Sequence, residues 1–285
     1  MNRWQIGDVK ISRFVESEGA WPGTWILPNG TPENLRKEAG WLAPNFIDEE
    51  GRCRMSIHAL VIESQGKRII VDTCIGNDKL RSNPFWNKLS LPFLDDLKKA
   101  GHPREAIEFV VCKHLHVDHV GWNTMLKDGK WVPTFPNARY VIGGVEWDFW
   151  SKFDDADTRA LVDDSVRPVV DHGMAELVDS TYRITDEVRL EPTPGHTPGH
   201  HSVRISSKGH DAVITGDMVH HPVQFAYPEW KDNFDSDGAQ AAKTRRAFVE
   251  RYADRDVLVL GTHFGGTTCG RIVSKGNAFR FAAAE

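Results

Sequence analysis

The chain has 285 residues, with 40% hydrophobic and 26% charged side chains and a formal net charge of −5. This composition is typical of a globular protein that buries a large core, and the negative charge without a basic run argues against nucleic-acid binding. The amino terminus lacks the apolar stretch of a secretory signal, and no later segment predicts a bilayer span. The four cysteines are widely spaced, which favours free buried thiols. We therefore expect a cytoplasmic protein with no membrane or nucleic-acid partner.

Residues 9–15 alternate between apolar and polar side chains and predict a first strand. The following segment, at about residues 16–54, breaks this pattern with Trp21, Trp25 and Trp41 among prolines and glycines. This loop-rich arm could line a pocket, cover a partner subunit in a homodimer or pack on its own core, and the sequence leaves these alternatives open. No internal repeat or linker divides the chain, so we expect one domain over residues 1–285.

The rest of the chain predicts strands with helices between and after them. Strands are expected at residues 55–63, 68–71, 109–112, 139–142, 188–190, 202–205, 212–215 and 257–260. Helices are expected at residues 93–100, 146–170 and 238–252. This order suits an α/β (α+β) fold of two sheets packed face to face with helices outside.

The most informative part of the sequence is the run His114-Leu115-His116-Val117-Asp118-His119, which directly follows an apolar strand. An extended chain sends alternate side chains to one side, so His114 and His116 can share one metal ion. Asp118 and His119 come after the turn and can reach a second ion. Imidazole suits zinc and similar cations, and a carboxylate can bridge two of them or complete the coordination shell.

Three further residues could complete such a site, because each follows a short apolar strand. His196 lies in a turn rich in proline and glycine, Asp217 ends the strand Val213-Ile214-Thr215-Gly216, and His263 follows residues 257–262. All three could therefore converge on one rim of a sheet.

With these residues in this order, residues 55–265 resemble the metallo-β-lactamase superfamily, whose signature is HxHxDH followed by a histidine, an aspartate and a last histidine. The resemblance implies a four-layer αββα sandwich with two divalent ions at one edge of the paired sheets. It also matches Asp72 to an aspartate that supports the loop carrying residues 114–119, which we call the metal loop. The implied ligands are His114, His116, His196 and Asp217 for one ion, and Asp118, His119, His263 and the same Asp217 for the other.

Two histidines outside the ligand set are informative within this superfamily. His200 matches a structural histidine. His220 stands three positions after the bridging aspartate, where acyl-homoserine lactonases have a tyrosine that contacts the substrate carbonyl. A histidine there, followed by Pro222-Val223-Gln224-Phe225, resembles the methyl-parathion-hydrolase branch, to which residues 235–237 and 240–252 are also similar.

The chemistry expected of such a site is hydrolysis. Two divalent cations about 3.5–4 Å apart lower the pKa of a bridging water and polarise the bond under attack. We expect a bridging hydroxide as the nucleophile, with Asp118 orienting it and passing a proton to the leaving group. His220 would donate a hydrogen bond to the developing oxyanion. Zinc is the first expectation, although the same ligands accept iron, cobalt or manganese.

Aromatic residues favour a small hydrophobic substrate. Trp122 directly follows the metal loop, and Phe85, Trp86 and Phe225 are further candidates for an apolar pocket wall. No cluster of arginine or lysine near the motif would select a phosphate monoester.

The leading hypothesis is a dinuclear-metal lactonase or esterase similar to acyl-homoserine lactonases, with phosphotriester hydrolysis as a side reaction. The nearest alternative is an organophosphate or aryl ester hydrolase of the methyl parathion hydrolase type. The missing signal peptide and cysteine ligand disfavour a β-lactamase, and the missing basic cluster disfavours glyoxalase-like thioester hydrolysis. A di-iron redox protein would have a glutamate in the first cluster and a flavin domain. A non-catalytic metal-binding module would be expected to have lost ligands.

Overall fold

The computed structural model describes residues 2–284, and this part of the chain forms two compact units. The first unit holds the chain up to Glu16 together with Ile57–Thr185. The second unit holds Ser17–Ser56 together with the chain from Asp186 onwards. Among residues 2–284, no helix has both the length and the apolar character needed to cross a membrane.

Runs of two to four consecutive strands are separated by helices along the described chain. The strands are β1 (Arg3–Ile6), β2 (Val9–Trp21), β3 (Cys53–Ser64), β4 (Lys67–Val71), β5 (Phe109–Cys112), β6 (Thr124–Lys127), β7 (Lys130–Pro133), β8 (Arg139–Gly143), β9 (Ala175–Val178), β10 (Val188–Pro192), β11 (His201–Ser207), β12 (His210–Ile214), β13 (Val257–Leu260), β14 (Cys269–Lys275) and β15 (Ala278–Ala283). The α-helices are α1 (Pro32–Lys37), α2 (Ala39–Leu42), α3 (Phe93–Lys99), α4 (Gly144–Trp150), α5 (Ala156–Leu161), α6 (Arg167–Asp171), α7 (Val223–Ala226) and α8 (Gly238–Tyr252). Short 3₁₀ turns lie at Gly23–Trp25, Arg104–Ala106, Gly121–Asn123 and Gly216–Met218.

The sheet that contains most strands of the first unit has the order β1-β2-β3-β4-β5-β8-β9 among the described strands. β3 and β4 are antiparallel, whereas β4, β5, β8 and β9 run parallel, with Val111 of β5 between Val71 and Val141. β5 is almost entirely buried, as expected for a parallel strand that is covered on both faces. Because parallel strands end at the same edge, the loops after β4 and β5 and the helix α4 after β8 leave the sheet side by side.

The sheet of the second unit has the order β10-β11-β12-β13-β14-β15 among the described strands. Its central pair, β12 and β13, is parallel, and the other neighbours are antiparallel. The chain therefore leaves β10, β12 and β13 at one edge of this sheet.

The predicted arm contributes to the core of the second unit. Leu27, Leu35, Leu42 and Phe46 from this segment are buried in one cluster with side chains of the sheet and of α7 and α8. Helix α1 begins after Thr31, whose hydroxyl accepts a hydrogen bond from the Asn34 N–H, with Pro32 at the first helical position. The arm is thus less irregular than its sequence predicts.

Residues 146–170 differ most from the prediction of a single helix. The helix ends at Trp150, and α5 restarts after Asp155, whose carboxylate accepts a hydrogen bond from the Thr158 N–H. Val162–Val166 then form a π-helical turn before α6. In that turn the Asp164 carbonyl accepts hydrogen bonds from Lys79 Nζ, at 2.9 Å, and from the Thr124 hydroxyl. These outside donors explain why regular α-helical bonding is interrupted there.

Replacing Phe281 by alanine should lower the free energy of unfolding by about 3–5 kcal/mol, because the ring is buried and its removal leaves a cavity. The ring lies 5.3 Å from that of Phe264, 5.5 Å from that of Phe225 and 5.6 Å from that of Phe46, centroid to centroid. Urea denaturation measures the change. Phe85→Ala is the control, since Phe85 is 83% exposed and its loss should cost less than about 0.5 kcal/mol. Equal losses in the two variants would contradict this description of the core.

Candidate functional site

The loop after β5 brings His114 and His116 together. The Nε2 atom of His114 lies 3.0 Å from the Nδ1 atom of His116. Two nitrogens bound tetrahedrally to one zinc ion at about 2.0–2.1 Å lie about 3.3 Å apart. The spacing of the two ring nitrogens therefore fits a shared metal ion. The Trp150 ring packs against His116 in a T-shaped arrangement, with the ring centroids 5.0 Å apart, which limits how the imidazole can turn.

The same loop presents Asp118 and His119 as a second pair. Asp118 Oδ1 lies 3.4 Å from His119 Nε2, which again is the spacing of ligand atoms around one ion. His119 is 1% exposed at its side chain, whereas Asp118 is 15% exposed. The carboxylate thus stays accessible while the imidazole is fixed.

Asp72, directly after β4, holds this loop in place. Its Oδ2 atom lies 2.5 Å from His119 Nδ1 and also contacts the Lys113 ammonium, and its Oδ1 accepts a hydrogen bond from the Lys113 N–H at 3.2 Å. Burial acts to raise the pKa of Asp72, but the neighbouring Lys113 and His119 lower it to about 2. The Asp72 carboxylate is therefore ionised. By engaging Nδ1 of His119, it directs Nε2 of that ring to the side facing away from Asp72.

A second carboxylate supports the far end of the loop. Glu16 Oε1 accepts hydrogen bonds from Trp122 Nε1 at 2.8 Å and from the Gly76 N–H at 3.1 Å, and its Oε2 accepts one from the Ile75 N–H at 2.8 Å. Burial nevertheless raises the pKa of Glu16 to about 6, against the effect of these hydrogen bonds. Glu16 thus connects the segment after β4 to the residues that follow the metal loop.

In the second unit, Asp217 and His263 meet at the ends of β12 and β13. His263 Nε2 lies 2.9 Å from Asp217 Oδ2, and His263 Nδ1 lies 3.0 Å from the Ser56 carbonyl oxygen. The backbone of Asp217 is fixed by His200, whose Nε2 accepts the Asp217 N–H at 2.9 Å. His200 therefore has the structural role expected from the sequence.

His196 and His220 face the same carboxylate of Asp217. The Nε2 atoms of His196 and His220 lie 3.8 Å and 3.0 Å from Asp217 Oδ2. Their other ring nitrogens face Asp235 Oδ1, at 3.3 Å, and Asp232 Oδ2, at 2.8 Å. Potential ligand atoms of His196, Asp217 and His220 all lie within 4.8 Å of one another. The second unit thus has its own buried group of side chains that could hold a metal ion.

The donor atoms in each unit are of the kind that divalent transition-metal ions prefer. Imidazole nitrogens and carboxylate oxygens are ligands for zinc, iron, cobalt and manganese alike. His119, His196 and His263 each have one ring nitrogen engaged by a protein oxygen, which fixes the direction of the other nitrogen. The predicted ligand residues therefore fit metal binding within each unit.

The predicted pocket residues lie in different environments. Trp122 is 5% exposed, stacks on Phe93 at 5.7 Å and borders a groove of about 260 Å³ in the first unit. Trp86 packs against the core of the first unit, whereas Phe85 is 83% exposed. Phe225 is 1% exposed and belongs to the aromatic core of the second unit. Their contact with a substrate stays a prediction, and the surroundings of Phe225 favour a core role.

The sequence did not identify several residues that support the site. Glu16, Lys113, Glu146, Asp232 and Arg245 reach it through tertiary contacts. Glu146 Oε2 accepts hydrogen bonds from the Leu115 N–H at 3.3 Å and from Trp150 Nε1 at 2.8 Å. The fully buried Arg245 lies 3.4 Å from Asp235 Oδ2. Residues 235–237 stood out only through the family resemblance.

Residues 54–263 match the sequence profile described as the Metallo-beta-lactamase superfamily. An N-acyl homoserine lactonase from Bacillus sp. is 23% identical over 172 residues, which are 56% of this chain and 62% of that protein. The N-acyl homoserine lactonase of Bacillus cereus matches to the same extent. The chain thus spans about 62% of the length of these curated relatives.

Solved structures show the same fold. AidC, described as a dizinc quorum-quenching lactonase in complex with a product, has a TM-score of 0.82 and 22% identity, covering 100% of this chain and 97% of AidC. The hydrolase AbOPH has a TM-score of 0.80 and 24% identity, covering 99% of this chain and 97% of AbOPH. These likenesses confirm the fold class predicted from the sequence.

Gly195→Ala should destabilise the protein by about 2–4 kcal/mol and weaken metal binding. Gly195 has φ +133°, and a Cβ atom there would lie 2.3 Å from the backbone nitrogen of Ala241. The loop that carries His196 would have to move away from α8. Thermal denaturation and metal analysis measure both effects. Gly173→Ala is the control, because Gly173 also has a positive φ, +66°, but open space around it. Comparable metal loss in both variants would contradict the proposed steric cause.

Glu16→Gln should remove a pH dependence of stability. The carboxyl of Glu16 has a pKa of about 6 in the folded chain and about 4.5 when unfolded, so the folded state holds the proton more tightly. Its contribution to stability is present below pH 4.5 and is lost as the pH rises through about 6. The free energy of unfolding of the parent relative to Glu16→Gln should therefore fall by about 2 kcal/mol over this range. Urea denaturation at several pH values tests this, with the exposed Glu33→Gln as control; a constant difference would contradict it.

Proposed function

Because the chain belongs to the metallo-β-lactamase superfamily, we propose that it is a dinuclear-metal hydrolase of lactone or ester bonds in small hydrophobic molecules. One ion would be bound by His114, His116, His196 and Asp217, and the other by Asp118, His119, His263 and Asp217. Zinc is the first candidate, since the structurally similar AidC is described as a dizinc lactonase. Iron, cobalt and manganese suit the same ligands.

The observation that carries this proposal is the spacing of ligand atoms within each unit. In the first unit, the pairs His114–His116 and Asp118–His119 have separations of 3.0 Å and 3.4 Å. These side chains are restrained by Asp72 and Glu146 rather than left on a mobile surface. The Asp118 side chain is 15% exposed and so within reach of a substrate, which favours catalysis over a metal-binding module without activity.

Two divalent cations, when bound, supply a water of lowered pKa and polarise the bond under attack. Asp118 is suited to take a proton from the attacking water and to give it to the leaving group, because its carboxylate is partly exposed beside buried His119. His220 is suited to donate a hydrogen bond to the developing oxyanion from Nε2, because this nitrogen lies 3.0 Å from Asp217 Oδ2. Trp122 would supply an apolar surface near the end of the metal loop.

The substrate class rests on the named relatives. The relatives from Bacillus are named N-acyl homoserine lactonases, and AidC is described as a lactonase. These descriptions support lactone hydrolysis by this chain. Phosphotriester or aryl ester hydrolysis is the second candidate. It is favoured by one feature, a histidine at position 220 where lactonases of this superfamily have tyrosine. A β-lactamase activity has no such support.

Metal removal and ligand substitution test the proposal directly. The parent protein should bind close to two divalent ions per chain. His116→Ala should bind fewer ions and lose hydrolysis by more than about 100-fold, because losing even an outer partner of a ligand costs 10–100-fold. Elemental analysis and initial rates on lactones, aryl esters, β-lactams and phosphotriesters are the measurements.

The control is His210→Ala, which removes an exposed histidine at the first position of β12 and should change neither metal content nor rates. Rapid β-lactam turnover with inert lactones and esters would reject the substrate class. A parent protein that binds no divalent ion would reject the metal centre.

A further inference from the structure

The segment 232–235 offers one carboxylate to each of two neighbouring histidines. Asp232 Oδ2 lies 2.8 Å from His220 Nδ1, and Asp235 Oδ1 lies 3.3 Å from His196 Nδ1. The His196 and His220 rings are 5.0 Å apart, and both direct Nε2 toward Asp217. His220 therefore has the same two kinds of neighbour as His196, a carboxylate at Nδ1 and Asp217 at Nε2, although the family signature does not include His220.

The two carboxylates have different surroundings. Asp235 has further partners besides His196. Its Oδ2 atom lies 3.4 Å from the Arg245 guanidinium and accepts the Asp232 N–H at 3.0 Å. Asp232 uses Oδ1 to accept the Phe234 N–H at 2.7 Å, and its Oδ2 faces His220. The Asp232 side chain is fully buried, and a buried carboxylate needs a partner of opposite polarity. Nδ1 of the His220 imidazole lies within ion-pair distance of that carboxylate.

The backbone also links His220 to this segment. Gln224 Oε1 accepts the His220 N–H at 2.7 Å, and Gln224 Nε2 donates to the Trp230 carbonyl oxygen at 3.2 Å, two residues before Asp232. The His220 ring stacks on His263, with an angle of 0° between the ring planes and centroids 5.2 Å apart. The position and plane of the ring are thus fixed by neighbours, and the Asp232 carboxylate beside Nδ1 leaves Nε2 as the nitrogen that faces Asp217.

From this geometry we propose that Asp232 is a positioning residue: its Oδ2 atom lies 2.8 Å from Nδ1 of His220 and so keeps Nε2 directed at Asp217, where the reacting oxygen is expected. The inference rests on the proposed function and extends it. Asp235 plays the corresponding part for His196, a metal ligand. The two carboxylates therefore divide their roles, with Asp235 supporting metal binding and Asp232 supporting turnover.

The test compares Asp232→Asn with Asp235→Asn in the zinc-loaded protein. Asp232→Asn should keep two ions per chain and a KM within about twofold of the parent, while kcat falls about 10–100-fold, the usual cost of losing a partner that orients an imidazole. Asp235→Asn should instead lower metal affinity by about 10–100-fold. Asp232→Glu, which retains the carboxylate, should recover part of kcat. Asp256→Asn on an exposed turn is the control and should change none of these values.

A spectroscopic readout separates this inference from the proposed function. Long-range ¹H–¹⁵N spectra of the imidazole nitrogens should show a shift of the His220 Nδ1 signal in Asp232→Asn relative to the parent. If the parent hydrolyses no lactone or ester, the proposed function fails while these spectra still support the role of Asp232. Unchanged spectra and kcat in Asp232→Asn would overturn the inference. So would metal loss equal to that of Asp235→Asn, because Asp232 would then serve the metal centre.

Discussion

The buried carboxylate of Asp72 is the interaction on which the metal loop of the first unit depends. It stands directly after β4 with a left-handed backbone, φ +57°, and its N–H donates to the Val111 carbonyl oxygen of β5 at 2.9 Å. From this position it contacts both Lys113 and His119, so one side chain determines where the loop starts and how its last ligand is oriented. An uncompensated carboxylate here would be costly, and Lys113 offsets its charge in the interior.

Much of the fold could be predicted because its strands are short apolar runs bounded by turns. The strands at residues 68–71, 109–112 and 257–260 and the helix at residues 238–252 lie where their patterns predict them. The hairpin of β6 and β7 was missed, although Asp128 and Gly129 both have positive φ and form a typical two-residue turn. Residues 146–170 were predicted as one helix because their apolar spacing is helical. The interruption depends on distant donors, Lys79 and Thr124, which no local pattern reveals.

The candidate ligands could be predicted for the same reason as the strands, since each follows an apolar run at a sheet edge. Their carboxylate partners could not. Asp232 and Asp235 lie in an irregular segment, and only the folded chain brings them to His220 and His196. Pocket residues were the hardest to predict, because an aromatic side chain such as Phe225 suits a core and a pocket equally well in sequence. Burial, which decides between these roles, is a property of the whole unit.

The protein oxygens that face Nδ1 of the proposed histidine ligands are not equivalent. His119 and His196 each face a carboxylate through Nδ1, whereas His263 faces the Ser56 carbonyl oxygen. A partner at the other ring nitrogen fixes the tautomer and the orientation of an imidazole that binds a metal. His263 has a neutral partner at Nδ1, and its Nε2 lies 2.9 Å from Asp217 Oδ2. Under the proposed ligand assignment, each ion would therefore have one imidazole supported by a carboxylate, His196 by Asp235 and His119 by Asp72.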